Sequence, residues 1–452
     1  MKKALSLLLA LMLILSLAAC GGSDETTGTT AATEGNTTEA EAETTAAPES
    51  SDETEAEAEP VTLKWALWDL DQTAYYKAIM DAYKTVAPNV TIEPTDLGSA
   101  DYMNMLQTQL AGGSDFDVVT IKDVPGYANL VAQDQLEPLN AFIAEAGIDT
   151  AQYGGTTDQV TVEGELYQLP FRSDFWVVLY NKDIFDSQGV DYPDNDMTLE
   201  EYDEIARKLV NGEGNEKVYG AHYHTWRSAV QLFSILDGKH TVVDGTYSWM
   251  APYYEMILKQ QDDGIVMDYA TAVSTSSHYR DLFYNSNIAM MNMGTWQIGS
   301  QIMAVADGTT DVANWGVVKY PHPDGIEAGT TLGTITGVSV SKNAPNKEAA
   351  LDFIGWLSGP EGAKVVAGTG TIPAIHTAAV MDSITSLDGF PEDQNSKDAL
   401  QTAKVYLEMP IHPQAGEIEV VLNEEHTEIM TGAKSIEDGL AAMERRVAEI
   451  IG

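Results

Sequence analysis

Arg172 and Asp174 stand two residues apart in a short polar stretch with Pro170 and Ser173. An uninterrupted apolar run, Phe175-Trp176-Val177-Val178-Leu179-Tyr180, follows at once. A guanidinium and a carboxylate so placed can donate to and accept from a polar solute. They can also simply pair with each other and hold a turn. A charged pair at the mouth of a buried strand points to the first use, the lining of a ligand cleft. A second cluster, His222-Tyr223-His224, raises the question of a metal. No acidic or cysteine ligand lies near it in sequence, so no metal is expected there. The acidic run from Asp191 to Asp196 lacks the full calcium-loop pattern and its closing glutamate, and reads as a loop.

These side chains need a scaffold, and the pattern supplies one. Phe175 to Tyr180 reads as a strand buried on both faces. Val61 to Trp68 alternates and reads as a first strand. Tyr76, Ile79, Tyr83 and Val86 follow at helical spacing until Pro88-Asn89 stops them. Val90 to Glu93 is a second strand, Tyr102 to Leu110 a helix ended by Gly112-Gly113, and Asp117 to Ile121 a third strand. Strand, helix, strand, helix, strand predicts a parallel sheet covered by helices. Thr198 to Leu209 carries a capping box, Thr198 answered by Glu201. Asn285 to Ile298 predicts a strand running into a Gly-Thr-Trp turn. Leu332 to Ser341 is a glycine-punctuated strand. Asn343 to Leu357 reads as a capped helix. Ser435 to Ile451 sets Ile436, Leu440, Met443, Val447 and Ile450 on one stripe.

The 452 residues carry 69 acidic and 24 basic side chains. That excludes a nucleic-acid partner, which needs a basic stripe to displace counterions. It also excludes docking on an anionic membrane by charge. Cys20 is the only cysteine, so no internal disulfide can form. It follows Lys2-Lys3, an apolar run from Ala4 to Ala18, and Leu17-Ala18-Ala19, and Gly21 comes next. The run has signal-peptide length and is short for a membrane span. The pattern resembles a bacterial lipoprotein signal whose cysteine is lipidated, so residues 1–20 are expected to be a signal peptide and Cys20 the anchor. Residues 21–60 are nearly all Thr, Glu, Ala, Ser, Asp and Gly, without Lys or Arg. So little apolar surface cannot offset ordering entropy, and a disordered acidic tether spanning about 35 Å is expected.

Taken in order, the pieces resemble the family 1 extracellular solute-binding proteins, the sugar-capturing components of ABC importers. The resemblance rests on the lipoprotein signal, a strand ending in Trp68-Asp69, GGSDFDVV, GELYQLPFRSDFWVVLYNKDIF, AMMNMGTW, the SKNAPNKEAALDFIGWLSGPEGAKVVAGTGTIPA stretch and the terminal amphipathic helix. It spans Val61 to Gly452 and implies a two-lobed α/β fold of the periplasmic-binding-protein type II class, with the ligand cleft between the lobes. The implied lobes are 61–170 with 337–372, and 171–336 with 373–452. Three crossover segments are implied near Pro170 to Asp174, Thr334 to Gly337 and Gly370 to Ala374.

The resemblance also implies roles. A sugar stacks its C–H face on an aromatic ring and hydrogen-bonds through its hydroxyls. Trp296 matches the stacking tryptophan of the family's glycine–any–tryptophan turn. Asp174 matches the acid that opens the crossover strand, with Arg172 as a donor. Trp68, Asp69 and Asp123 fall on loops that this fold turns to the cleft, and His224 and Trp226 where second-lobe contacts lie. Glu419 stands where the maltose binder of the family has a stacking tryptophan, so the ligand need not be a maltodextrin. The expectation is a monomeric, lipid-anchored capture protein on the extracytoplasmic side of the cell membrane. It would need no cofactor and would pass a sugar or oligosaccharide to an ABC permease. Two alternatives stand. One is a binder of a peptide, polyamine or sugar acid. The other is an extracellular glycosidase, for which Asp123 and Asp174 would have to converge to within about 5–10 Å across the bond.

Overall fold

A computed structural model of the chain describes residues 59–99 and 101–452. The expected signal peptide, Cys20 and the expected tether up to residue 58 lie outside the described residues. Among the described residues, nine strands form the framework: β1 (Val61–Leu67), β2 (Val90–Asp96), β3 (Val118–Ile121), β4 (Leu169–Asn181), β5 (Tyr219–His222), β6 (Ile288–Gly294), β7 (Trp315–Lys319), β8 (Thr330–Val340) and β9 (Lys404–Leu407). The main path runs β2-β1-β3-β8-β4-β6-β5, with β7 paired to β4 and β9 to β8. β1 is parallel to β2 and β3, as the strand–helix alternation predicts.

β4 and β8 are the longest strands. The first half of β4, Leu169 to Phe175, pairs antiparallel with β8. Its second half pairs with β6 on one side and β7 on the other. The far end of β8 pairs with β3. Both strands thus run from one α/β layer into the other without a loop. Ile372 and Ala374 join them there, through Ser173 N–H to the Ile372 carbonyl (3.3 Å) and Ala374 N–H to the Phe171 carbonyl (3.0 Å). The three segments expected to cross between lobes therefore lie side by side. Apolar side chains gather on either side of this seam. One core holds β1, β3 and the helix Lys347–Leu357. Separate clusters hold the far half of β4 with β5, β6 and β7, and the C-terminal helices. This is the two-lobed α/β fold of the binding proteins.

Polar side chains fix the strands that carry the cleft loops. The Trp65 indole N–H donates to Thr120 Oγ1 at 2.8 Å, and the Tyr102 hydroxyl to the carbonyls of Ala66 and Thr120. A buried indole or phenol needs such a partner, because an unmet donor costs more than the bond contributes. The terminal helix, Ile436–Ile451, is capped by Ser435 and buries Leu440, Met443 and Val447. Each such side chain contributes about 1.5–3 kcal/mol.

Two local expectations are corrected. The helix predicted from Asn343 begins at Lys347, and Asn346 does not cap it. The Asn346 side chain instead reaches the Thr62 carbonyl and Asp117, tying the helix to the sheet. Val86 follows the helical period but is 56% exposed. Tyr75 takes the fourth buried place beside Tyr76, Ile79 and Tyr83. Among the described residues no helix is long and apolar enough to cross a membrane.

Candidate functional site

The first wall of the cleft grows from the ends of β1 and β3. Trp68 leaves β1 with its ring edge-on to Tyr76 and Tyr102. Asp69 then takes a left-handed backbone, φ 50°, and Asp96 holds the turn by accepting the N–H groups of Asp69 and Leu70. After β3, the Lys122 ammonium sits 5.6 Å from the Trp68 ring centre. Asp123 caps the helix Val124–Ala132, accepting from Gly126 N–H at 2.7 Å. Burial raises its carboxyl, against the pull of that bond and of Lys122.

The floor is β4. Its pairing with β8 slips between Pro170 and Arg172, so Phe171 is a bulge residue without a partner on β8. A bulge re-aims the side chains that follow it. Past it, Arg172 faces the cleft. Its Nε lies 2.8 Å from Asp174 Oδ2 without aligning as a hydrogen bond, and Nη1 donates to the Tyr75 hydroxyl at 2.9 Å. Asp174 does not reach the cleft. It is wholly buried behind Arg172 and accepts from Thr295 Oγ1 at 2.9 Å. The expectation that Asp174 itself meets solute is corrected by this burial: it holds Arg172 in place. Asp174 lines neither of the cavities described below, whereas Asp123 lines the larger.

The second wall grows from β6. Gly294 ends it, and Trp296 opens the helix Trp296–Asp307 and folds back over Gly294. A Cβ at 294 would lie 2.0 Å from the indole ring, so only glycine lets the ring lie there. Trp296 packs edge-on to Trp176 and Trp226. Trp226 is 38% exposed at the rim and lines neither cavity described below. His224 lies behind it, 4.5 Å between ring centres, facing Tyr279 and His278. Burial lowers its imidazole to about 4, with His278 adding to the effect, so it is neutral and away from the cleft. Among the described residues no three His, Cys, Asp or Glu side chains are placed to hold a metal.

Two cavities, about 380 Å³ and 270 Å³, share Trp68, Lys122, Arg172 and Trp296 and so form one cleft. The smaller also reaches Asp69, Tyr75 and Arg280. The larger is lined by Asp123 and by Arg227, Glu408 and Glu419, none of which was singled out as a contact from sequence. Arg227 grips Glu419 with two nitrogens, Nε at 2.8 Å and Nη2 closer, while Nη1 reaches Gln231. Burial alone would raise the Glu419 carboxyl, but Arg227 outweighs it and holds it below its ordinary range. Glu408 accepts from the Trp176 indole. Both arginines of the larger cavity are thus paired with carboxylates, which leaves a wall of donors and acceptors with little net charge.

A two-lobed fold with a polar, aromatic-flanked cleft beside its crossing strands is the architecture of a solute-binding protein. The chain belongs to the bacterial extracellular solute-binding proteins: the family's sequence model matches residues 68–364. A sugar transporter from Rhizobium etli, solved in an open conformation, is 55% identical, with 86% of this chain and 99% of that one covered and a TM-score of 0.78. An ABC substrate-binding protein from Listeria monocytogenes, in complex with cycloalternan, shares the fold at 20% identity, covering 87% and 99%, with a TM-score of 0.73. The sn-glycerol-3-phosphate-binding periplasmic protein of Escherichia coli is 26% identical over 395 residues, 79% of this chain and 85% of that protein.

Proposed function

We propose that this chain captures a neutral sugar or short oligosaccharide and delivers it to the permease of an ABC importer. The observation that carries the reading is the shared part of the cleft. Trp68 and Trp296 rise from opposite sides of the crossing strands, with Arg172 between them. Aromatic faces take the C–H surface of a sugar, and the guanidinium donates to its oxygens. The paired charges of the wall favour a neutral polyol over a cation, a peptide or an anion such as a sugar acid. Taken together, the two cavities lie in the range of small-ligand pockets. Residues 61–170 with 337–372 act as one lobe and 171–336 with 373–452 as the other, and solute held by both stabilises the closed form. The monomer is held at the outer face of the cell membrane by lipid on Cys20 through the tether of residues 21–60. The contacts are Trp68, Asp69, Asp123, Arg172 and Trp296, with Asp174 behind Arg172, Trp226 at the rim and His224 behind Trp226.

The test is a thermal-shift panel on the purified protein. It includes tagatose, mannobiose, mannotriose and cycloalternan, set against glycerol 3-phosphate, glucuronate, spermidine and peptides. A ligand at 100 times its dissociation constant adds about 2.7 kcal/mol of stability. A shift with one class of neutral carbohydrate is expected. A shift only with a charged ligand overturns the neutral-sugar reading, and sugar release from an oligosaccharide over hours would make the protein a hydrolase.

A further inference from the structure

Glu408 follows directly on β9 and lines the larger cavity. Oε1 accepts from the Trp176 indole N–H, while no described residue hydrogen-bonds to Oε2. Oε2 is not closed off by protein either, so it opens to the cavity. The charges around it are already committed. Arg227 and Glu419 pair in a fork on one side, and Arg172 and Asp174 pair on β4. Tyr320, from the end of β7, stays an uncharged phenol because burial pushes it far up. Lys122 and Asp123 face the same cavity from the first wall. Glu408 is therefore a carboxyl with no cation of its own, close to two other carboxylates.

Such a group is costly as an anion and much less so as an acid. The acid keeps the Trp176 bond on one oxygen and gains a proton to donate from the other. Burial lifts the carboxyl to about 7, against the opposing pulls of Trp176 and Arg227.

We propose that Glu408 is a specificity-determining residue that stands in the cleft as a neutral carboxylic acid, donates its proton to an oxygen of the solute, and makes capture take up a proton. The inference rests on the reading of the cleft as a carbohydrate site. Its sign is fixed by linkage. A carboxyl raised in the folded state holds its proton more tightly than in the unfolded chain. Its contribution to stability is full below the unfolded value and is lost as pH rises through about 7. Solute that accepts the proton raises the value further, so affinity falls as pH rises past the same point. Glutamine has the same shape, donates an N–H, and does not titrate.

Two measurements on the full chain test this. The first follows the Trp176 indole N–H resonance against pH without ligand. A transition near pH 7 is expected in the wild type and none in Glu408→Gln. A resonance that moves only below pH 5, or moves equally in both, overturns the proposal. The second is calorimetry with mannotriose and with tagatose at pH 6 and pH 8, in buffers of different ionisation heat. Binding about tenfold weaker at pH 8 with proton uptake is expected for the wild type, as follows from a titration midpoint near 7. Equal affinity at both values is expected for Glu408→Gln. Flat wild-type affinity, or proton release, also overturns it. If neither sugar binds at either pH, the carbohydrate reading falls, while the indole titration still decides whether Glu408 carries the proton.

Discussion

Two arginines line the larger cavity, and they are not equivalent. Arg227 spends three of its nitrogens on protein: two on Glu419 and one on Gln231. Glu419 is completed in turn by Asn423, and its carboxyl stays low. Arg172 spends one nitrogen on Tyr75 and meets Asp174 only as a close, unaligned ion pair. Burial raises Asp174 even against Arg172 and Thr295. The remaining Arg172 nitrogen hydrogen-bonds to no described residue, and the side chain lines both cavities. Arg227 is therefore a closed strut of the second wall, while Arg172 keeps N–H groups that no described residue takes up. Charge in a cleft does not by itself mark a contact; the number of uncommitted N–H groups does.

This contrast orders the expected effects of substitution. Arg227→Ala should be the most damaging to the fold, because it strands Glu419 as a half-buried, uncompensated anion. A loss of about 3–5 kcal/mol in urea unfolding is expected. The double variant Arg227→Met with Glu419→Leu should recover most of it, since an apolar pair replaces the ion pair without a stranded charge. If Arg227→Ala unfolds like the wild type, the strut assignment is wrong. Arg172→Lys should act on binding. Lysine keeps the charge near Asp174 but loses the planar fork that reaches Tyr75 and solute together. A weakening of about 1.5–3 kcal/mol in the affinity for the carbohydrate found by the panel is expected, with a smaller change in melting. An effect larger on melting than on affinity would make Arg172 a second strut. Trp226→Ala should do least, because its ring lines neither cavity. A change of at most about 0.5 kcal/mol in either quantity is expected, and a tenfold loss of affinity would extend the site to the rim.

The open arginine was legible in the sequence and the closed one was not. Arg172 and Asp174 are two apart at the head of an apolar strand, so their pairing and place follow from local pattern. Trp296 came instead from the resemblance, through the glycine–any–tryptophan turn it matches, and the structure supplies the reason for that glycine: the ring lies against it. Arg227 meets Glu419 across 192 residues, and no local period encodes that meeting. Arg227 directly follows the aromatic and histidine cluster, which drew notice to Trp226 instead. Glu408 is the lone acid after the strand Lys404–Leu407, which was a signal in plain view. Asp174 was placed on the right strand and face but one layer too near the solute, because depth below a cleft surface depends on what lies above, here the arginine itself. The alternation of β1, β2 and β3 with helices was read correctly because each is set by its own neighbours.

The unpaired Phe171 gives β4 something like a reading frame. Side chains along a strand alternate sides, so the extra residue sets which members of the next ten point at the cleft. Removing the paired Ser173, past the bulge, would shift the frame by one and hand the positions of Asp174 and Trp176 to Phe175 and Val177. Arg172 would lose the carboxylate behind it and Glu408 the indole that holds it in a single step, although both of those residues would still be present in the chain.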